Sequence, residues 1–204
     1  MRLITLNRTK PNASVEFYGC PMQCKYCSHT AAMFKDYDLE KVIQAMSENG
    51  IRSVFIGGAE PALHAKEALE LIRMLNARGK EVILKTTGHD PDFVAAAKPK
   101  ISRFVLEVKA PLDDPELLTR LTAYDLDKAK QQQENERRTL EIMKGSKVRA
   151  TEYVLGEAPA RWHPILAEAL ALRRGEGTRY ASRLVRARDA AAFVRHAVQA
   201  CKGL

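Results

Sequence analysis

Short apolar runs alternate with helical patterns along this chain, and this alternation constrains the fold more than any other feature of the sequence. Runs of this length that are bounded by turn residues are typical of buried strands. Strands that alternate with helices form repeated β–α units around a parallel sheet. The predicted strands are residues 14–18, 53–56, 81–84, 103–108, 147–155 and 179–185.

Helical spacing fills the intervals between these strands. Leu39, Val42, Ile43 and Met46 recur on one face of a helix, and Asp38 stands where an N-terminal cap belongs. Further helices are predicted over residues 65–78, from Pro91 onward and over 189–201.

The most polar segment of the chain, residues 127–138, has the charge and glutamine content of a helix. Its apolar stripe is thin until Leu140 and Met143, so the sequence predicts a solvated helical face there. A mobile element that contacts a partner is the alternative.

Composition places the chain among globular proteins, with 46 % apolar and 28 % charged residues. A length of 204 residues predicts a single domain. No apolar run is long enough to cross a bilayer, and the first residues lack the apolar stretch of a secretory signal. We therefore expect a cytoplasmic protein in a reducing environment.

The net charge of +8 is concentrated late in the chain. A basic balance suits nucleic acid, an acidic protein surface or an anionic small molecule. No aromatic-rich nucleic-acid motif accompanies the arginines, so solvated helix faces are the favoured explanation and nucleic-acid binding is the disfavoured one.

Three thiols follow the first predicted strand with the spacing C-x3-C-x2-C: Cys20, Cys24 and Cys27. Thiolates select iron–sulfur clusters or zinc over hard ions. No fourth ligand is close in the sequence, so we expect one metal position to be open to a substrate or cofactor. The alternative is a closed zinc site completed by Cys201, His29 or His64. A disulfide framework suits neither the low cysteine count nor the expected reducing environment.

Polar segments also follow the later strands, where ligands gather in parallel β–α folds. Gly58-Ala59-Glu60-Pro61 follows the second strand, and its backbone carbonyls could accept hydrogen bonds from an amino group. Taken alone, it is also an ordinary strand-to-helix turn. The third strand leads into Lys85-Thr86-Thr87-Gly88, and the fourth ends in Glu107-Val108-Lys109, which could also be a surface ion pair.

The cysteine spacing, with Tyr26 before the third cysteine, resembles that of the radical S-adenosylmethionine (radical SAM) enzymes. The stretch from Val15 to His29 looks most like the activating enzymes of glycyl-radical proteins. The resemblance covers residues 13–155 and implies a partial (β/α)6 barrel with parallel strands, which residues 156–204 would complete within a single domain 1–204. It also implies that the three cysteines hold a [4Fe–4S] cluster whose fourth iron is chelated by SAM.

The resemblance further assigns SAM contacts residue by residue. Tyr26 would lie near the adenine, and Gly58, Ala59, Glu60 and Pro61 would hold the amino group of SAM. Ala59 departs from the second glycine of the family pattern, which questions the backbone angles at that position.

Four more contacts are implied on the later strands: Glu107, Lys109, Thr86 and Arg149. Glu107 stands where the activating enzymes have aspartate, and Lys109 would pair with the carboxylate of SAM. Thr86 is equally suited to a turn. Lys85 replaces an aspartate of the family pattern and so reverses the charge there.

The implied activity is reductive cleavage of SAM to a 5′-deoxyadenosyl radical that abstracts hydrogen under anaerobic conditions. The implied partners are a one-electron donor such as flavodoxin or ferredoxin and a glycyl-radical protein as substrate. Two alternatives remain open: a radical SAM enzyme that modifies a small molecule or nucleobase, and a metal-binding module without catalysis.

Overall fold

The computed structural model of the chain describes residues 1–24, 27, 29, 32–110, 112–154, 179–180 and 183–184, with side chains as far as residue 149. The chain begins with an antiparallel hairpin of β1 (Arg2–Thr9) and β2 (Asn12–Phe17), and the short β3 (Lys35–Asp36) pairs with the outer side of β1. The sequence did not predict β1, whereas β2 confirms the first predicted strand.

The sheet continues from β2 through strands that alternate with helices. The strands are β4 (Ser53–Gly58), β5 (Glu81–Thr86), β6 (Arg103–Val108), β7 (Val148–Val154), β8 (Arg179–Tyr180) and β9 (Arg183–Leu184). The helices are α1 (Leu39–Met46), α2 (Ala65–Ala77), α3 (Pro91–Ala97), α4 (Pro115–Leu121) and α5 (Leu126–Met143).

Parallel pairing runs in the order β2-β4-β5-β6-β7-β8, and β9 pairs with β7. This order confirms the β–α alternation read from the sequence. The predicted helix over 189–201 lies outside the described residues.

The helices begin where local chemistry satisfies their free N–H groups. Asp38 caps α1 by accepting from Lys41 N at 3.0 Å, and Asp90 caps α3 ahead of Pro91 at its first position. Both caps confirm the predicted helix starts. The buried stripe of α2 consists of Ala68, Leu71, Ile72 and Leu75, with Leu69 only partly buried beside it.

The two faces of the sheet differ in their environment. Alternate side chains pack against the helices in one continuous core, as Ile56, Leu84 and Leu106 do with no exposed surface. The intervening side chains, among them Lys85 and Val105, are only partly buried. The second face is therefore the one on which a ligand can reach the strands.

No helix within the described residues is both long enough and apolar enough to span a bilayer.

Candidate functional site

The cysteine loop leaves the carboxyl end of β2 and packs against a cluster of buried apolar side chains. Cys24 is buried in this cluster, and Cys20 and Cys27 pack against it from partly exposed positions. Apart from Met22, the other buried members of the cluster come from the chain after β6: Ala110, Leu117, Leu118, Leu121 and Ala129. The cysteine loop is thus held by residues far from it in the sequence.

Burial raises the pKa of the Cys20 thiol to about 11, opposed by a backbone hydrogen bond from Met22 and reinforced by the charge of Glu60. A thiolate-binding metal therefore displaces a proton from this side chain. Among the described residues, no three His, Cys, Asp or Glu side chains converge on a single metal position.

The two histidines considered as zinc ligands occupy different places. His64 donates from Nε2 to the carbonyl oxygen of Tyr18 at 2.7 Å, so it supports the start of the cysteine loop. His29 lies between Cys27 and Glu16, with Nδ1 3.8 Å from the sulfur and Nε2 3.8 Å from a carboxylate oxygen. Cys201 lies outside the described residues.

The turn after β4 is bonded directly to the base of the cysteine loop. Ala59 N–H donates to the Phe17 carbonyl at 3.0 Å, and Glu60 N–H donates to the Gly19 carbonyl at 2.9 Å. Gly58 has φ +90°, but Ala59 is not among the described residues with a positive φ. Alanine at position 59 is therefore compatible with the backbone of this turn.

Glu60 is fully buried and binds the next turn along the sheet. One carboxylate oxygen accepts from Ala62 N and Thr86 Oγ1, at 3.1 and 2.9 Å. The other accepts from Thr87 N and Thr87 Oγ1, at 2.8 and 2.7 Å. Thr86 Oγ1 also accepts from Gly88 N at 3.0 Å. The carboxylate of Glu60 thus links the end of β4 to the end of β5. The four hydrogen bonds that this carboxylate accepts all come from protein donors.

Glu107 forms a buried cluster with two lysines at the ends of β5 and β6. Its carboxylate lies 3.0 Å from Lys85 Nζ and 2.8 Å from Lys109 Nζ. All three side chains are at most 17 % exposed, so the alternative of a surface ion pair is wrong. Burial alone would raise the pKa of Glu107, but the two ammonium groups outweigh it and lower the pKa to about 2.

The polar segment 127–138 forms most of α5 and exposes one solvated face, as predicted, but the opposite face is buried, which the sequence did not predict. Gln132, Gln133, Glu136 and Thr139 are buried. Gln132 Nε2 donates to the Thr87 carbonyl at 3.0 Å. Apolar periodicity missed this face because its polar side chains bond to backbone groups of a turn instead of packing in an apolar core.

Two more bonds attach α5 to the turn after β5. Asn135 Nδ2 donates to the His89 carbonyl at 2.7 Å, and Thr139 Oγ1 donates to the Gly88 carbonyl at 3.3 Å. The turn after β5 is therefore held by α5 as well as by Glu60.

Glu136 and Tyr124 are site neighbours that the sequence did not single out. Burial raises the pKa of Glu136 to about 8, although the Gln132 amide, Lys109 and Arg137 act to lower it. Burial also raises the pKa of Tyr124, and nearby Cys20, Glu60 and Glu136 add to that effect. A glutamate inside a polar helix carries no sequence signal of burial, so only the tertiary structure reveals it.

The structure brings most of the predicted site residues to the carboxyl edge of the sheet: Cys20, Cys24, Cys27, Gly58, Ala59, Glu60, Pro61, Thr86, Glu107 and Lys109. Arg149 lies near the start of β7, paired in register with Val105, and its side chain is exposed. Tyr26 lies outside the described residues.

Comparison with known protein families indicates which family has this cysteine loop and these strand ends. The family model described as the Radical SAM superfamily matches residues 16–156, which include the cysteine loop and every parallel strand from β4 to β7. The chain belongs to the radical SAM superfamily. Membership makes it an enzyme and implies a [4Fe–4S] cluster and SAM as cofactors.

One relative and two solved structures resemble this radical SAM chain. A Methanocaldococcus jannaschii protein, provisionally named a glycyl-radical enzyme activating enzyme, is 27 % identical over 109 residues, covering 51 % of this chain and 45 % of the relative. Streptococcus suis SuiB superposes with a TM-score of 0.65 at 16 % identity, covering 95 % of this chain and 44 % of SuiB.

The methyltransferase TsrM of Kitasatospora setae, solved with cobalamin and a [4Fe–4S] cluster bound, superposes with a TM-score of 0.57 at 17 % identity. The match covers 80 % of this chain and 32 % of TsrM. The structural likenesses confirm the predicted partial barrel. This chain spans less than half the length of each of these three proteins.

The described residues suit the implied cluster. The three thiols contact one cluster of otherwise apolar side chains, and thiolates are the ligands that hold iron–sulfur clusters. Cys20, Cys24 and Cys27 therefore remain the residues predicted to hold the iron–sulfur cluster.

Proposed function

We propose that this radical SAM enzyme cleaves SAM reductively and generates a glycyl radical on a partner protein. The single observation that carries the proposal is the cysteine loop at the carboxyl edge of the sheet, inside the segment that matches the superfamily. The named relative from M. jannaschii supports the choice of a glycyl-radical partner over a small molecule.

The cysteines and the apolar side chains around them would have different roles in this reaction. Cys20, Cys24 and Cys27 would hold the [4Fe–4S] cluster, which when reduced supplies the electron that splits SAM into methionine and a 5′-deoxyadenosyl radical. The apolar side chains of Met22, Leu117 and their neighbours would keep water away from that radical.

The strand ends would orient SAM. Lys109 and Glu107 offer a cation and an anion to its amino-acid portion, while the turn Gly58–Pro61 supplies backbone carbonyls. Tyr26, Thr86 and Arg149 remain proposed contacts. Glu60 positions this turn, since it fixes β4 against β5 through four hydrogen bonds.

The cofactor assignment is tested by anaerobic reconstitution of the full chain with iron and sulfide, followed by dithionite and SAM. We expect 5′-deoxyadenosine by liquid chromatography and none from Cys24→Ala, because that variant lacks a buried cluster ligand. Conversion of the exposed Met33 to alanine is the control and should leave the yield unchanged. Equal yields from the parent and Cys24→Ala would disprove the cluster assignment.

The partner assignment needs a second measurement. The chain is co-expressed anaerobically with a glycyl-radical protein of the same organism, and the mixture is examined by electron paramagnetic resonance. We expect the doublet of a glycyl radical, dependent on SAM and lost with Cys24→Ala. SAM cleavage without that doublet, together with a modified small molecule, would favour the alternative substrate class.

A further inference from the structure

Lys85 stands at the carboxyl end of β5, on the partly exposed face of the sheet. Its ammonium group lies 3.0 Å from Glu107 Oε1 and 3.5 Å from the carbonyl oxygen of Gly58. The first contact is an ion pair, and the second is a long ion–dipole contact. One cation therefore bridges the end of β6 and the end of β4.

The path of this side chain depends on Gly57. A Cβ atom at position 57 would lie 2.8 Å from Phe55 Cε1, 3.0 Å from Lys85 Cβ and 3.2 Å from Lys85 Cδ. The absence of a side chain at Gly57 therefore leaves the space that the Lys85 side chain and the Phe55 ring occupy. The first glycine of the pair accommodates the lysine, and the second forms the turn.

Lys85 contacts a carboxylate and a backbone carbonyl, and the amino group of a ligand would bind to acceptors of the same kind. The carboxylate of Glu60 already accepts four hydrogen bonds from protein donors, two on each oxygen. Glu107 and the Gly58 carbonyl are two further acceptors at this edge, and the Lys85 ammonium group contacts both of them. An α-amino group that binds there competes with the lysine ammonium for the same oxygen atoms.

We infer that Lys85 occupies the amino-group position of the SAM site and must move aside when SAM binds, an inference that rests on the proposed function. Glu107 remains ionised when Lys85 departs, because Lys109 stays 2.8 Å from its other oxygen. Lys85 has a flexible four-carbon stem and is 17 % exposed, so it can turn toward the open face of the sheet. Lys85 thus lowers the affinity for ligands that carry the amino group, SAM among them, by competition.

The decisive variant is Lys85→Met, which removes the charge and keeps a similar length of apolar stem. The matched control is Lys80→Met, at the residue immediately before β5. Lys80 is also half-buried and donates to two carbonyls, those of Glu48 and Ile51 at 3.2 and 2.7 Å. Both variants are reconstituted anaerobically as the full chain, and dissociation constants are measured by equilibrium dialysis without reductant.

Three probes separate competition at the amino group from other effects. S-adenosylmethionine and S-adenosylhomocysteine share the amino group but differ by the sulfonium charge, and 5′-methylthioadenosine lacks the amino-acid portion. We expect Lys85→Met to tighten binding of the first two alike, by about fivefold or more, and to leave that of the third within about twofold. Lys80→Met should change none of the three.

The other outcomes overturn the inference. Tighter binding of S-adenosylmethionine alone would indicate a long-range effect of net charge. Tighter binding of all three probes would indicate a general change in the pocket, and weaker or unchanged binding of the first two would mean that Lys85 does not compete. If the parent chain fails to bind or cleave SAM, the proposed function itself falls and the inference falls with it.

Discussion

At the scale of single residues, the turn after β4 requires glycine for its conformation, and the same turn is a proposed contact of SAM. Gly58 adopts φ +90°, and a Cβ atom there would lie 2.8 Å from the backbone of Glu16 on β2. The position therefore needs glycine for its conformation and also for the close approach of a neighbouring strand. The sequence motif predicts the first requirement but not the second.

Replacing Gly58 with alanine tests this close approach. We expect a loss of about 3 kcal/mol or more in the free energy of unfolding, measured by urea denaturation, because the strain of the left-handed conformation adds to a clash with backbone. Gly79→Ala is the matched control. Gly79 has φ +71°, but a Cβ atom there would meet no other atom within 4 Å, so only the conformational cost of about 1–2 kcal/mol remains. Equal losses would show that the approach of Glu16 is not limiting.

At the scale of elements, α5 shows what sequence periodicity cannot detect. Its buried face is built from Gln132, Gln133, Glu136 and Thr139, which a hydropathy pattern assigns to solvent. Caps and strands were predictable because they depend on neighbouring residues, as at Asp38 and Asp90. The docking of α5 depends on carbonyl groups of the β5 turn that lie more than 40 residues earlier.

Glu136 makes the stability of the protein depend on pH. Its pKa of about 8 in the folded state exceeds the ordinary value of 4.5, so the folded state binds this proton more tightly than the unfolded state. The resulting stabilisation is complete below pH 4.5 and is lost as pH rises to about 8. Lys109 and Arg137 favour ionisation and reduce the effect, but burial exceeds them.

Glu136→Gln keeps an acceptor for the Gln132 amide and removes the titrating proton. We expect the parent and the variant to have similar free energies of unfolding near pH 5. Near pH 8 the variant should be more stable, by roughly 3 kcal/mol. Urea denaturation of both proteins across this range measures the difference, from which titrations shared by the two proteins cancel. A difference that does not change with pH would show that Glu136 is ionised in the folded state.

At the scale of the whole molecule, the parallel order of the sheet was predictable and its N-terminal edge was not. Alternation of short apolar runs with helices specifies the β–α units, since each pattern has its own period. β1 lies next to the N-terminal edge of the sheet, between β2 and the short β3, and most of its side chains are exposed or only partly buried. Its apolar residues are confined to Leu3–Leu6, so the sequence alone indicates only a short apolar run until its pairing with β2 is known.

The charge of the whole molecule predicts how electrons reach the site. A net charge of +8 attracts an acidic carrier over long range and raises the rate of encounter, an effect that salt screens. With a reduced acidic flavodoxin as the donor, we expect the rate of 5′-deoxyadenosine formation to fall about tenfold between roughly 0.02 and 0.5 M salt. A neutral photoreduced deazaflavin is the control, because an uncharged donor is not steered and its rate should change little. If both donors respond equally to salt, the screening acts on SAM or on the site, and the positive charge of the chain plays no part in recognising the carrier.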